Sequence, residues 1–92
     1  MIRTKVVATI GPASASPEVA EALVRAGMDI ARINMSHGNY GTHDRSIRLV
    51  REASERVGKP IALLIDLQGP KIRIGYLPEP VFLRPGGVVT IA

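Results

Sequence analysis

The fold turns on a short stretch in which an alternating apolar run gives way to polar side chains, Ala31-Arg32-Ile33-Asn34-Met35-Ser36-His37-Gly38. Asp29–Asn34 has the pattern of a short buried strand, so Arg32 and Asn34 point to the same face. In parallel α/β sheets ligands bind past the carboxyl ends of the strands, because the following loops converge there. Guanidinium, amide, hydroxyl and imidazole groups at this place favour an anionic, phosphorylated ligand. A polar strand end that only caps the next helix is the alternative.

Two further strands are predicted, one on each side of this stretch in the sequence. Thr4–Ile10 is rich in β-branched residues and ends at Gly11-Pro12. Its nearly continuous apolar character is typical of a parallel strand that is covered on both faces. Pro60–Asp66 is a second apolar run and ends in a carboxylate.

Two helices are predicted between the strands. The first has Ser16 as its N-cap and Pro17 at its first position, and Gly27 ends it. The second runs from about Thr42 to Val57 and is closed by Gly58. Strand, helix, strand, helix and strand with short connections predict an α/β fold with right-handed crossovers and a parallel sheet.

The pattern changes in the last part of the sequence. Two β-prone runs, Val81–Arg84 and Val88–Ile91, flank Pro85-Gly86-Gly87 in the manner of an antiparallel hairpin. The sequence therefore divides into residues 1–74, which hold the βα units, and residues 75–92, which begin a β segment.

Composition narrows the functional classes. There is no cysteine, which excludes disulfides and thiolate metal sites and predicts a reducing, cytoplasmic setting. No apolar run reaches the ~18 residues that span a bilayer, and Met1–Lys5 lacks the apolar core of a signal peptide, so we expect no membrane partner. The net charge is +4, but the arginines are dispersed and only 3% of residues are aromatic, which disfavours a nucleic-acid partner. A mild basic excess suits small anions equally well.

A second polar cluster follows the third predicted strand, Asp66-Leu67-Gln68-Gly69-Pro70-Lys71-Ile72-Arg73. Because parallel strand ends meet at one edge, we expect this cluster to lie beside Arg32. A structural salt bridge is the alternative, although surface pairs contribute only about 0–1 kcal/mol. Asp66, Asn34 and Ser36 are hard oxygen donors that suit an alkali or alkaline-earth cation but not zinc. His37 is either part of the site or a solvated loop residue.

Three stretches, Thr4–Ser14, Ala31–Gly38 and Asp66–Arg73, resemble the amino-terminal segment of the pyruvate kinases, in the same order and over nearly the whole sequence. The resemblance implies about two and a half βα units of a (β/α)8 TIM-type barrel, followed by the first β-hairpin of an inserted β-barrel domain. It also implies transfer of a phosphoryl group from phosphoenolpyruvate to ADP, giving pyruvate and ATP.

The resemblance assigns roles to individual residues. Arg32 matches the arginine that binds the substrate phosphate. The nucleotide-binding positions are matched by Asn34, Met35, Ser36, His37 and Arg73. The ligands of the monovalent cation are matched by Asn34, Ser36, Asp66 and the backbone carbonyl of Leu67.

Two positions depart from the family pattern. Leu67 stands where many members carry threonine, which matters little for a main-chain ligand. Lys71 stands where potassium-dependent members carry glutamate, and its ammonium can itself supply the positive charge. We therefore expect K⁺ binding to be dispensable, and Mg²⁺ to be held by residues outside this segment.

A closed barrel takes ~250 residues, and the resemblance implies that the catalytic residues of the family lie outside these 92 residues. We therefore expect the 92 residues to be inactive alone, with exposed apolar faces. For the complete enzyme the resemblance implies a cytoplasmic homotetramer. One alternative is a free-standing module in which Arg32, Lys71 and Arg73 hold an anion without chemistry. Another is a basic structural or nucleic-acid-binding fragment, whose binding depends strongly on salt.

Overall fold

The computed structural model describes residues 3–92 and contains alternating strands and helices. The strands are β1 (Val7–Thr9), β2 (Ile30–Asn34) and β3 (Ala62–Asp66), and the helices are α1 (Pro17–Ala26) and α2 (Tyr40–Val57). Met1 and Ile2, which belong to the predicted βα part and to the stretch tested for a signal peptide, lie outside the described residues. Within residues 3–92 neither helix has the length and apolar character needed to cross a membrane.

The three strands form one parallel sheet in the order β1-β2-β3. Each strand is added beside the one before it, as in a barrel, whereas a doubly wound sheet reverses its direction of growth. In the register, Arg32 of β2 lies between Thr9 of β1 and Leu64 of β3. The predicted parallel α/β fold is therefore confirmed, and its strand order is that of a partial barrel.

One face of the sheet packs against both helices. Ala31 and Ile33 of β2 are 0% and 1% exposed and belong to a continuous apolar core. The other core residues are Ile10, Ala20, Val24, Met28, Leu49, Val50 and Ala53. The opposite face is open, since Val7 and Leu64 on it are 49% and 40% exposed. Arg32 shares this open face, because side chains alternate along a strand.

The capping residues of α1 are those that the sequence predicts. The Ser16 hydroxyl accepts a hydrogen bond from the Val19 amide at 3.3 Å, and Pro17 begins the helix. Gly27 ends it, and its amide donates to carbonyls of the last turn. An i, i+4 ion pair between Glu21 and Arg25 adds to the exposed face.

Helix α2 begins at Tyr40, two residues before the predicted start. The cause is Asn39, whose side-chain oxygen accepts from the Thr42 amide at 3.0 Å while the Thr42 hydroxyl accepts from the Asn39 amide at 2.9 Å. This reciprocal capping box satisfies two backbone amides at the start of the helix that would otherwise have no hydrogen-bond acceptor. Residues 40 and 41, predicted as loop, are therefore helical.

The predicted hairpin between residues 81 and 91 is not confirmed. Its turn is present, since the Gly87 amide donates to the Arg84 carbonyl at 3.0 Å, but the runs on either side form no strand within the described residues. Phe82 and Val88 are 84% and 96% exposed. The physical reason is that a two-stranded hairpin with no apolar surface to pack on is marginal in water.

Candidate functional site

Arg32 and Asp66 are in contact at the carboxyl edge of the sheet. Arg32 Nε donates to Asp66 Oδ2 at 2.9 Å, and Nη2 donates to the same oxygen. The two side chains are 31% and 43% exposed, so water reaches the pair. The ends of β2 and β3 therefore meet, as the sequence pattern predicts.

The first strand adds a hydroxyl that sequence reasoning missed. Thr9 is the last residue of β1 and lies beside Arg32 in the register. Arg32 Nη1 donates to Thr9 Oγ1 at 3.1 Å. Threonine is common in strands for its branched side chain, so residue type carried no signal here. The one available signal was its place at a strand end.

Asn34 organises the loop that follows β2. Its Oδ1 accepts a hydrogen bond from the Ser36 amide at 3.0 Å, and its carbonyl accepts from the His37 amide at 3.3 Å. The Met35 amide donates to the main-chain carbonyl of Asp66 at 3.0 Å. The loop is thus tied both to its own strand and to the end of β3.

An open cleft of about 490 Å³ lies beside this loop. Loop residues after β2, the first turn of α2 and the residues after β3 line it, namely Met35, Ser36, Gly38, Asn39, Tyr40, His43, Leu67 and Gln68. His43, to which the sequence assigned no role, and Tyr40 and Gln68 therefore border the predicted site. These three residues line the cleft because the segments that carry them come together in the fold, and residue type alone does not reveal which segments do so.

The oxygen donors at this edge are hard ligands of the kind that alkali and alkaline-earth cations take. Asn34 and Asp66 lie side by side in the register, with Ser36 two residues further on. Arg32 engages Oδ2 of Asp66, so the carboxylate has a second oxygen for a cation. Among residues 3–92 no three His, Asp or Glu side chains gather into a metal-binding group. The donors include a single carboxylate, which is already paired with Arg32, so they offer a divalent ion little negative charge.

The two other basic side chains of the predicted site do not lie beside Arg32 and Asp66. Lys71 and Arg73 lie in the exposed segment after β3, and in the described part of the chain neither takes part in an ion pair. The side chain of Leu67 is also exposed, at 75%. The structure thus gathers Arg32, Asp66 and Asn34, and leaves Lys71 and Arg73 in solvent.

The fold and the site together define a class. A singly wound parallel sheet with helices on one face is the arrangement of the βα units in barrel-type proteins, and an arginine and oxygen donors lie at its carboxyl edge, where such proteins bind their ligands. The sequence matches the family described as "Pyruvate kinase, barrel domain" over residues 1–92. The chain belongs to this family, which confirms the resemblance of the three sequence stretches.

Three relatives with the name pyruvate kinase show the extent of the match. The pyruvate kinase of Chlamydia muridarum is 43% identical over 89 residues, which is 97% of this chain and 18% of the relative. That of Mycobacterium intracellulare is 48% identical over 90 residues, 97% of this chain and 19% of the relative. That of Staphylococcus saprophyticus is 44% identical over 93 residues, 100% of this chain and 16% of the relative. The chain therefore spans less than a fifth of the length of these relatives.

Proposed function

We propose that this chain is the amino-terminal part of a pyruvate kinase, which transfers a phosphoryl group from phosphoenolpyruvate to ADP and yields pyruvate and ATP in the last step of glycolysis. Residues 1–92 contribute to its substrate, nucleotide and cation sites and have no turnover of their own. The contact between Arg32 and Asp66 at the carboxyl edge of the sheet, in a member of this family, is the observation that carries the proposal.

Arg32 is the proposed ligand of the substrate phosphate. Its guanidinium is anchored to strands on both sides, so its charge has a fixed place. Catalysis of phosphoryl transfer consists mainly of positioning and of neutralising the charge on the moving group. A planar, always charged fork of donors suits that task.

The nucleotide is proposed to bind along the loop after β2 and at the segment after β3, through Asn34, Met35, Ser36, His37 and Arg73. Two observations support this placement. The loop is fixed to the strand ends by hydrogen bonds of Asn34 and Met35, and the open cleft lies beside it. Arg73 approaches the nucleotide only when the exposed segment after β3 packs against further parts of the protein.

A monovalent cation is proposed to bind Asn34, Ser36, Asp66 and the carbonyl of Leu67, where it would add positive charge near the nucleotide. Lys71 is proposed to take over this charge, so that K⁺ is dispensable. Assays of the full-length polypeptide with and without K⁺ test this. Equal rates are expected, and Lys71→Glu is expected to create K⁺ dependence. Strong K⁺ activation of the unaltered protein would refute the idea. Mg²⁺ is proposed to be held by residues beyond this segment.

The complete protein is proposed to be a cytoplasmic homotetramer without membrane or nucleic-acid partners. Residues 1–74 are proposed to begin its barrel, and residues 75–92 its inserted β domain. In that domain the exposed runs around Pro85-Gly86-Gly87 pair once further strands cover them.

Binding measurements on the full-length polypeptide test the proposed function. Arg32→Gln is expected to raise the dissociation constant of phosphoenolpyruvate about tenfold to a hundredfold, the range for a lost charge-assisted hydrogen bond. The matched control is Arg48→Gln, because Arg48 is an exposed arginine of α2 that pairs only with Asp44 within the described residues. Phosphoenolpyruvate and inorganic phosphate that bind equally well, with no pyruvate formed, would indicate an anion-binding module instead.

A further inference from the structure

The guanidinium of Arg32 is held from two sides by the neighbouring strands. On the β3 side, Nε and Nη2 donate to Asp66 Oδ2, and on the β1 side, Nη1 donates to Thr9 Oγ1 at 3.1 Å. The three residues lie on the open face of the sheet, and Thr9 and Arg32 are direct register partners. Both contacts on the β3 side go to one oxygen, so they leave the guanidinium able to turn about the line from Cζ to that oxygen. The contact on the β1 side restricts this rotation.

Some N–H groups of the Arg32 guanidinium remain free to donate to a ligand. A guanidinium has five N–H groups, and the contacts to Asp66 and Thr9 use one on each of its three nitrogens. One N–H on Nη1 and one on Nη2 are left. These two nitrogens form the end of the fork, which is the edge that can donate to two oxygens of one phosphate group.

We propose that Thr9 is a positioning residue, whose hydroxyl orients Arg32 so that the end of the guanidinium faces the substrate phosphate. This inference rests on the proposed function. Threonine suits the role because its branched Cβ restricts χ1, which fixes the direction of the hydroxyl. As a neutral acceptor it also orients the guanidinium without adding a negative charge beside the incoming phosphate. Asp66 holds the position of Arg32, and Thr9 sets its rotation.

The test compares three variants in the full-length polypeptide. Thr9→Val keeps the shape and the branching but removes the acceptor, while Thr9→Ser restores the hydroxyl. The matched control is Val7→Thr, which exchanges the same two residue types on the same strand and face but beside Ile30 rather than Arg32. Thermal unfolding shows whether each variant is folded, and Thr9→Ala replaces Thr9→Val if the latter is not.

The readouts are the dissociation constant of phosphoenolpyruvate by calorimetry and the KM values of both substrates. Thr9→Val is expected to weaken phosphoenolpyruvate binding about threefold to tenfold, the effect of one lost hydrogen bond to a charged donor at a partly exposed place. The KM of ADP and the unfolding temperature are expected to stay unchanged. Thr9→Ser is expected to bind within about twofold of the unaltered protein, since it keeps the acceptor.

The outcomes separate this inference from the proposed function. If Arg32→Gln weakens phosphoenolpyruvate binding while Thr9→Val leaves it unchanged, the role of Thr9 is overturned and the proposed function stands. If Val7→Thr weakens binding as much as Thr9→Val, the effect belongs to the strand and the role of Thr9 is again overturned. If Arg32→Gln has no effect, both fail.

Discussion

The link between the β2 loop and helix α2 depends on the absence of a side chain at Gly38. This residue has φ of +74°, and a Cβ added to it would lie 2.6 Å from Thr42 Oγ1 and 3.2 Å from His43 Cε1. The imidazole is the far end of a flexible side chain and can move away. Thr42 Oγ1 cannot move without cost, because it accepts from the Asn39 amide and donates to the Asn39 carbonyl, both at 2.9 Å. Gly38→Ala is therefore expected to break the capping box.

Gly58→Ala is a control that isolates this effect. Gly58 has nearly the same backbone conformation, with φ of +77°, but an added Cβ there meets no atom within 4 Å. Both substitutions place alanine in the left-handed region at a cost of about 1 kcal/mol, and both restrict the unfolded chain to the same degree. Only Gly38→Ala also disrupts the hydrogen bond from the Asn39 amide to Thr42 Oγ1, which is worth about 1 kcal/mol. It is expected to destabilise the chain by that amount more than Gly58→Ala.

Urea denaturation followed by far-ultraviolet circular dichroism measures the difference. With a slope of about 1 kcal/mol per molar, the midpoint of Gly38→Ala is expected about 1 M below that of Gly58→Ala. In a Thr42→Ala background the hydrogen bond to Thr42 Oγ1 is already absent, so Gly38→Ala should cost no more than Gly58→Ala. Equal midpoints for the two single variants, or an undiminished cost of Gly38→Ala in the Thr42→Ala background, would refute the reasoning.

Two further predictions concern the core and the amino edge of the sheet. Val50→Ala truncates a side chain that is 1% exposed, so the free energy of unfolding measured with urea is expected to fall by about 2 kcal/mol. The control is Val88→Ala at a position that is 96% exposed, where the change should be less than about 0.5 kcal/mol. The Val6 amide at 2.9 Å and the Lys59 ammonium at 3.1 Å lower the pKa of Asp29. This stabilisation is therefore present above about pH 4 and is lost as the pH falls through the folded-state pKa. Asp29→Asn should flatten that acid limb of the stability curve, and an unchanged limb would contradict the assignment.

The ends of the helices are predicted well from the sequence because they depend on local residue chemistry. Ser16 and Pro17 start a helix, and Gly27 and Gly58 end the two helices, because each acts through its own backbone or its immediate neighbours. The start of α2 was predicted two residues late because two glycines around Asn39 indicated a loop. The capping contacts of Asn39 outweigh the cost of about 1 kcal/mol for a glycine in the first turn.

Contacts between strands are less accessible to sequence reasoning. That Arg32 and Asp66 meet follows from the convergence of parallel strand ends, a general rule that needs no exact register. That Thr9 contacts Arg32 requires the register itself, which pairs these two residues directly. Residues 81–91 contain the predicted turn but no strand pairing, because strands β1 to β3 offer them no apolar surface. Local turn chemistry at Gly86 was therefore not enough to predict a hairpin.

The two faces of the sheet differ in what they contribute to stability. The helix-side face holds Ala31 and Ile33 in an apolar core, where burial supplies the stability of the unit. The open face holds Arg32 and Asp66, and a pair that is one third to nearly one half exposed contributes about 0–1 kcal/mol. Folding alone therefore has little use for this pair. A fixed guanidinium at the edge where loops converge is instead what an anionic ligand requires, and it remains available because the core is built on the other side.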